Sequence, residues 1–350
     1  MAAPFEDQTT WLRTDARARA TSLLVCPRCC GIFRTERTRC PFDGVALERT
    51  DEDPVPGTLL DRDFAAIGLI GTGAMGRVYR GVDLRHQRPV ALKLLYADLA
   101  AAPAMRRRFA LEGVLGTTID HPNVVRAFCH RQIGHRSFIA MELVAGETLD
   151  AHLARRGALP PAEVIALVRS LLDGLEAIHR AGVVHRDVKP GNVMLEPTVQ
   201  GLLARITDLG VAQRMDAASG LGRRTGVVGS PSFMAPEQAR GEPCDERTDL
   251  YALGVTLHCL LSGNPPFEST PEQILYAKAT EPVTLPPLPE ADPFLVRLRD
   301  RLTAPRPEDR PDSAAATREL LRRRERRTWF GRGWTPRPGA RSGAGRARAM

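Results

Sequence analysis

Lysine is nearly absent from the 350-residue chain: of 49 basic residues only Lys93, Lys189 and Lys278 are lysines, and the rest are arginine. An ammonium is a compact point charge that fits a crowded phosphate where a planar guanidinium fork does not, so the positions that keep lysine are candidates for that chemistry. Long apolar runs are missing too. The best stretch, Leu250 to Leu261, is interrupted by Thr256 and His258 and is shorter than the ~18 to 20 residues that span a bilayer. The opening segment from Met1 to Ala20 has no apolar signal-peptide core. Secretion and membrane spanning are therefore disfavoured. Cysteine numbers only seven, and an odd total without a signal peptide points to a reducing, cytoplasmic setting.

With 43% hydrophobic and 26% charged side chains, the composition belongs to a folded protein and excludes a wholly disordered one. Its net charge of +8 is unevenly placed. Residues 322–350 hold ten arginines against Glu325 and carry +9, leaving the other 321 residues at −1. The body thus has little electrostatic reason to bind a polyanion, whereas the tail has one.

Residues 1–25 are polar and aperiodic, and a cysteine cluster follows at 26–47. Six acids with Pro54, Pro56 and Gly57 mark 48–63 as an acidic linker. Beyond it, β-like runs at Phe64–Ile70, Arg77–Val82, Pro89–Leu95 and Ser137–Leu143 alternate with glycine-rich turns, with one helix near Arg106–Gly116. After Gly146 the spacing turns helical. The clearest case is Pro161–Ala181, whose apolar stripe runs from Val164 to Ile178. Further helices are predicted at Asp245–Leu261, Pro271–Thr280, Pro293–Leu302 and Ser313–Arg324. The pattern is that of an α+β protein, a small antiparallel sheet lobe with one helix followed by a larger helical lobe.

Gly71-Thr72-Gly73-Ala74-Met75-Gly76-Arg77-Val78 reads as a glycine-rich loop between strands, where missing side chains let backbone N–H groups approach phosphate oxygens. Taken alone it is no more than a glycine-rich hairpin. It leads into a strand, unlike a dinucleotide fingerprint. Val90-Ala91-Leu92-Lys93 follows, and Glu112 on the first helix supplies the carboxylate that fixes a strand lysine. Then come His185-Arg186-Asp187-Val188-Lys189-Pro190-Gly191-Asn192, Asp208-Leu209-Gly210 and Ala235-Pro236-Glu237.

In this order and spacing the motifs resemble the bacterial eukaryotic-like serine/threonine protein kinases, over Phe64 to about Leu321. The resemblance implies the bilobal kinase fold, with an N-lobe at 64–144 and a C-lobe at 145–321. It implies ATP-dependent transfer to serine or threonine hydroxyls of protein substrates, with Mg²⁺ or Mn²⁺. Catalytic residues are then Asp187, Lys93, Lys189 and Glu112. The nucleotide is expected against Ile70, Gly71, Gly73, Gly76, Val78, Ala91, Met141, Glu142 and Val144, with Asn192 and Asp208 as hard oxygen ligands for the metal. Leu209 replaces the commoner Phe, an apolar exchange. Gly113 and Gly116 each cost the first helix roughly 1 kcal/mol relative to Ala, so it needs tertiary contacts to place Glu112. Glu237 and Arg310 are expected to pair, and Asp249 to brace the catalytic loop. A pseudokinase scaffold is the rival reading, disfavoured because Lys93, Asp187, Asn192 and Asp208 are all present.

Thr225, flanked by Arg223 and Arg224, is the expected activation-segment phosphosite, to be read by Arg186. The Arg-rich tail, with Trp329, Phe330 and Trp334, is expected to be disordered and suited to weak contact with anionic membrane or nucleic acid, the membrane contact being peripheral at the inner face. A solvated tail with no partner is the alternative. Cys26-Pro27-Arg28-Cys29 and Cys40-Pro41-Phe42-Asp43-Gly44 suggest a zinc ribbon at 26–47, since about 20 residues need such a staple to fold. Asp43 or Cys30 completes the site, Asp43 preferred because Cys30 abuts Cys29. Unligated reduced cysteines or a redox-sensing dithiol remain as alternatives.

Overall fold

Valine, leucine and alanine in short runs, each ended by a glycine or charged turn, give the first half of the chain its strands. The structure is a computed structural model that describes residues 23–25, 32–34, 38–40, 44–50, 59–133, 136–209, 230–267 and 269–332. Cys26, Cys29, Cys30, Asp43, Thr225 and residues 333–350 of the tail lie outside these.

Near the N-terminus β1 (Leu23–Val25), β2 (Ile32–Arg34) and β3 (Glu48–Thr50) form a small antiparallel sheet in the order β2-β1-β3. Strand β3 thus occupies the first residues of the expected linker. At the other end of that segment Leu60 is buried with Phe64, and Asp61 accepts from the backbone N–H groups of Asp63 and Phe64 at 2.7 and 2.9 Å.

A second sheet is built from β4 (Phe64–Thr72), β5 (Gly76–Asp83) and β6 (Arg88–Leu95), then, after helices α1 (Ala97–Ala101) and α2 (Pro103–Thr118), from β7 (Ala127–Ile133) and β8 (Arg136–Glu142). Its order is β4-β5-β6-β8-β7. Central β6 is buried from Val90 to Leu95, as a strand covered on both faces should be. Strand β7 is an addition to the four read from sequence. It is an edge strand whose later residues, Arg131 to Ile133, are exposed, so it lacks the alternation that marks a half-buried strand.

The two costly glycines of α2 have a packing reason. A Cβ on Gly113 would stand 2.7 Å from the Cβ of His130, and one on Gly116 would stand 2.8 Å from that of Ala127. Both contacts are with β7. Bare glycine lets the helix lie against the sheet at a distance no alanine permits, which offsets the propensity lost.

The second lobe opens with β9 (Glu147–Thr148), α3 (Leu149–Arg156) and α4 (Pro161–Arg180). A small sheet, β11-β10-β9, adds β10 (Val193–Thr198) and β11 (Gly201–Ile206). Helices α5 (Pro236–Arg240), α6 (Glu246–Ser262), α7 (Pro271–Thr280), α8 (Pro293–Leu302) and α9 (Ala314–Arg332) follow. The predicted stripe of α4, Val164 through Ile178, is buried in the main core. Helix α6 is buried from Thr248 to Leu260, so the apolar run at 250–261 is a core helix. No helix among the described residues is long and apolar enough to cross a membrane.

Helix α9 runs on to Arg332, so the Arg-rich segment begins as helix and not as disordered tail. Its basic side chains find acids on the lobe. Arg318 pairs with Asp173 and Glu176 of α4, and Arg324 lies 2.5 Å from Asp292 and over the ring of Phe294. These contacts seat the part of the helix that sequence spacing predicts, and the helix runs on past its expected end near Arg324.

Candidate active site

Lys93 sits on β6 with Val78 of β5 and Ile139 of β8 as its register partners. Its Nζ donates to Glu112 Oε1 at 2.7 Å and to Asp208 Oδ1 at 2.8 Å. Burial drives Lys93 towards its neutral form, but the charges of Asp208 and Glu112 outweigh it and hold the ammonium above the usual lysine range. For Asp208 burial is likewise outweighed, by Lys93, and the carboxyl lies below its usual range. Burial pushes Glu112 up against the pull of Lys93, and the charge of Asp208 adds to it. The side chain of Glu112 is 8% exposed and that of Asp208 35%. Glu112 therefore serves the lysine, and Asp208 keeps an oxygen for something else.

The catalytic loop is fixed from beneath by one carboxylate. Asp249 Oδ2 accepts from His185 N at 2.8 Å, and Asp249 Oδ1 accepts from Arg186 N at 2.7 Å. His179 Nε2 donates to the same Asp249 Oδ2 at 2.7 Å. This brace holds Arg186 at φ +69°, and Asp208 stands at φ +58°. Such backbone costs of order 1–3 kcal/mol per residue and persists where surrounding bonds over-determine it. The His185 ring accepts from Asp187 N through Nδ1 at 3.2 Å, and its Nε2 faces Thr207 O at 3.1 Å. Those partners suit Nδ1 as acceptor and Nε2 as donor.

Asp187 Oδ2 receives Lys189 Nζ at 2.7 Å and Asn192 Nδ2 at 2.9 Å, and Asn192 Nδ2 also donates to Asp187 O at 2.8 Å. With its amide nitrogen so used, Asn192 is left with its carbonyl oxygen. Together with the second oxygen of Asp208 this is a hard-oxygen pair, which suits Mg²⁺, a cation that keeps several waters and takes few protein ligands.

The expected nucleotide residues fall into one region, with two distinctions. Ala91, Met141 and Val144 are buried in a single apolar cluster, with Val78 against it. Met194 of β10 joins them, a contact the sequence reading missed because the residue follows Asn192 only as part of an apolar strand. Ile70 is 45% exposed on the glycine-rich hairpin. Gly73 N donates to Gly76 O at 2.9 Å to close that hairpin. Gly71 and Gly73 have room for a Cβ, but one on Gly76 would stand 1.9 Å from Leu94 O. Gly76 is thus needed for strand contact and the first two leave the hairpin open. Glu142 is held by Arg205 of β11 at 2.5 and 2.8 Å, a tie between the lobes that its sequence context did not signal.

Leu209 is buried in the main core. Glu237 and Arg310 form a buried two-point pair at 2.7 and 2.9 Å. Gln238 links two segments: its oxygen accepts from Ala235 N and its Nε2 donates to Arg186 O, both at 3.0 Å. Of the expected zinc ligands only Cys40 is described, and it is buried.

The sequence model of the protein kinase domain matches residues 64–320. Serine/threonine-protein kinase pkn2 of Myxococcus xanthus is 38% identical over 241 residues, 68% of this chain and 29% of that protein. Serine/threonine-protein kinase PknL of Mycobacterium tuberculosis is 37% identical over 222 residues, 63% of this chain and 54% of that protein. The chain thus spans only part of these curated relatives. The solved kinase domain of Mycobacterium tuberculosis PknI superposes with a TM-score of 0.61 at 28% identity, covering 76% of this chain and 98% of that one. Since the domain match takes in well over half of the 350 residues, and the folded lobes within it carry the lysine between two carboxylates, the chain belongs to the protein kinase family.

Proposed function

We propose that the chain transfers the γ-phosphoryl group of ATP to serine or threonine hydroxyls of proteins. The observation that carries this is Lys93 held at 2.7 and 2.8 Å between Glu112 and Asp208, with Lys189 close enough to act on Asp208. Phosphoryl transfer asks little covalent help, so positioning and charge neutralisation do the chemistry. Lys93 binds the α- and β-phosphates. Ala91, Met141 and Val144 enclose the base, and the backbone of 142–144 hydrogen-bonds its edge. Asp187 accepts the hydroxyl proton or orients the hydroxyl, and Lys189 neutralises the moving phosphoryl group. When bound through Asp208 and Asn192, Mg²⁺ supplies charge neutralisation at the phosphates. Incubation with γ-labelled ATP and Mg²⁺ tests this: label on serine or threonine that Lys93→Met abolishes is the expected result, and label unaffected by Lys93→Met defeats it.

Three finer readings belong with it. Thr225 phosphate is expected to pair with Arg186 and to accompany activity; active protein without Thr225 phosphate by mass spectrometry counts against that. The Arg-rich segment 322–350 is read as a weak contact for anionic lipid or nucleic acid, which high salt should abolish; binding that survives 1 M salt, where the Debye length is about 3 Å, excludes a purely electrostatic contact. For the cysteine module, support comes from β1 and β2, which pair from Val25 and Ile32 on either side of Cys26, Cys29 and Cys30. Cys40 heads a turn in which Cys40 N donates to Val45 O at 2.8 Å and Gly44 N to Cys40 O at 2.9 Å, with Gly44 at φ +66°. A turn of this kind, with the Cys26-Pro27-Arg28-Cys29 pair and with Asp43 or Cys30 as the fourth ligand, suits a tetrahedral Zn²⁺. Stoichiometric zinc lost in a Cys26→Ser, Cys40→Ser double variant is expected; unchanged zinc content rejects the site.

A further inference from the structure

The third lysine has no part in the chemistry just described. Lys278 lies on α7 and is fully buried, at 0% exposure. Its Nζ donates to Ser232 O and Met234 O, both at 2.7 Å. The ammonium also faces the rings of Tyr251 at 5.0 Å and Phe267 at 4.9 Å, within the range where an aromatic face attracts a cation. Among the described residues no carboxylate lies within ion-pairing distance of it. A buried ammonium without a carboxylate is costly, so two carbonyls and two rings hold a charge that an apolar residue would avoid.

The carbonyls belong to a segment beside the acceptor site. Residues 230–235 form overlapping turns, with Phe233 N donating to Ser230 O at 2.9 Å and Met234 N to Pro231 O at 3.3 Å. One end is tied through Gln238 to the carbonyl of Arg186, the residue before Asp187. A protein segment that brings its hydroxyl to Asp187 must run beside these turns, whose Ser232, Phe233 and Met234 are partly exposed. Gln238 fixes the loop to the catalytic side, and Lys278 fixes it to α7.

We propose that Lys278 is a positioning residue for the acceptor protein: its ammonium clamps loop 230–235 in the shape that receives the polypeptide next to Asp187, so that its protonation sets the affinity for the acceptor and not for ATP. This rests on the kinase reading above and names the part of the site that senses the protein substrate.

The surroundings leave this charge free to titrate near neutrality. Burial pulls Lys278 down to about 7, with Glu237 only partly opposing. Glu237, on α5, is itself neutralised by Arg310, and Arg310 lies on the other neighbour, the Tyr251 ring, at 5.0 Å. Tyr251 of α6 is held far above the usual phenol range by burial and stays neutral. Among the described residues the loop contributes only the hydroxyls of Ser230 and Ser232, and on α7 Glu272 and Tyr276 are on the exposed side. For a base whose folded value is depressed, the charged form exists below about 7 and is lost as pH rises through it. The clamp is therefore complete at mildly acid pH and weakened at mildly alkaline pH.

The test is steady-state transfer to an end-blocked serine/threonine peptide free of His and Cys, chosen from an array by its phosphorylation at about pH 6, with the full chain as enzyme. On passing from about pH 6 to about pH 8.5, the wild type is expected to show a several-fold rise in peptide KM with ATP KM unchanged. Lys278→Met should show the high peptide KM throughout, about tenfold above wild type at pH 6, with a flat profile. Lys278→Arg, charged at every pH, should also lose the pH dependence. A strut with no bearing on substrate would move stability alone. Peptide KM that is flat in wild type, measurable even if Lys278→Met does not fold, overturns the proposal, as do parallel profiles in wild type and variant. Wild type that transfers to no peptide overturns the kinase reading and this inference together, an outcome distinct from transfer with a flat profile.

Discussion

Each of the three ammonium groups in this arginine-rich chain sits where a compact donor meets oxygens at 2.7–2.8 Å: Lys93 between two carboxylates, Lys189 on Asp187, Lys278 on two carbonyls. Arginine takes the opposite kind of place, two-point contacts with room for its fork. Arg310 on Glu237 is the clearest, with side chains 0% and 2% exposed. Removing one partner of such a pair leaves a buried charge unmet, so Arg310→Ala should lower unfolding free energy by about 3–5 kcal/mol, read as a fall in urea midpoint. A midpoint within error of wild type would mean that the pair adds no net stability. This contact was expected from the sequence through the kinase resemblance that Ala235-Pro236-Glu237 helps to carry. The second brace on Asp249 was not, because His179 ends an apolar helical stripe and nothing in its neighbours tells its Nε2 from that of any helix-end histidine.

Among the elements, those with a strong period were read nearly as they stand, α4, α7 and α8 ending within a residue of expectation. Those that were missed have physical reasons for silence. Strand β7 is an exposed edge, α3 is two turns long, and α9 continues to Arg332 through an arginine run that carries no apolar period. The glycines of α2 are the reverse case: sequence reasoning correctly counts their cost, but only the sheet shows what they permit. Gly116→Ala should therefore destabilise the protein although alanine is the better helix former. Overpacking against Ala127 at 2.8 Å costs about 1–3 kcal/mol against a gain of about 1 kcal/mol. Activity should fall with it, since the same helix carries Glu112. Urea unfolding together with transfer assays checks both; a stabilised, fully active Gly116→Ala protein contradicts this account of the helix–sheet contact.

For the molecule as a whole, the site was more legible than the architecture around it, since it depends on residue types at fixed spacings while the lobes depend on contacts far apart in sequence. Lys93 and Asp208 are 115 residues apart and His185 and Asp249 are 64 apart, and motif order alone let them be placed together. Sequence does not carry the shape of loop 230–235, which α7 and the catalytic loop impose from either side. The central claim is that the chain is built to move a phosphoryl group and not only to hold a nucleotide. The most direct measurement compares wild type with Asp187→Asn for two quantities, Mg²⁺-dependent ATP affinity and the rate of phosphate transfer to serine or threonine. Asp187 touches Lys189 and Asn192 but neither Lys93 nor the base-enclosing cluster. The account predicts ATP affinity within about threefold of wild type and a transfer rate lower by at least about 10²-fold; transfer retained in Asp187→Asn, or none in wild type despite firm ATP binding, would contradict it.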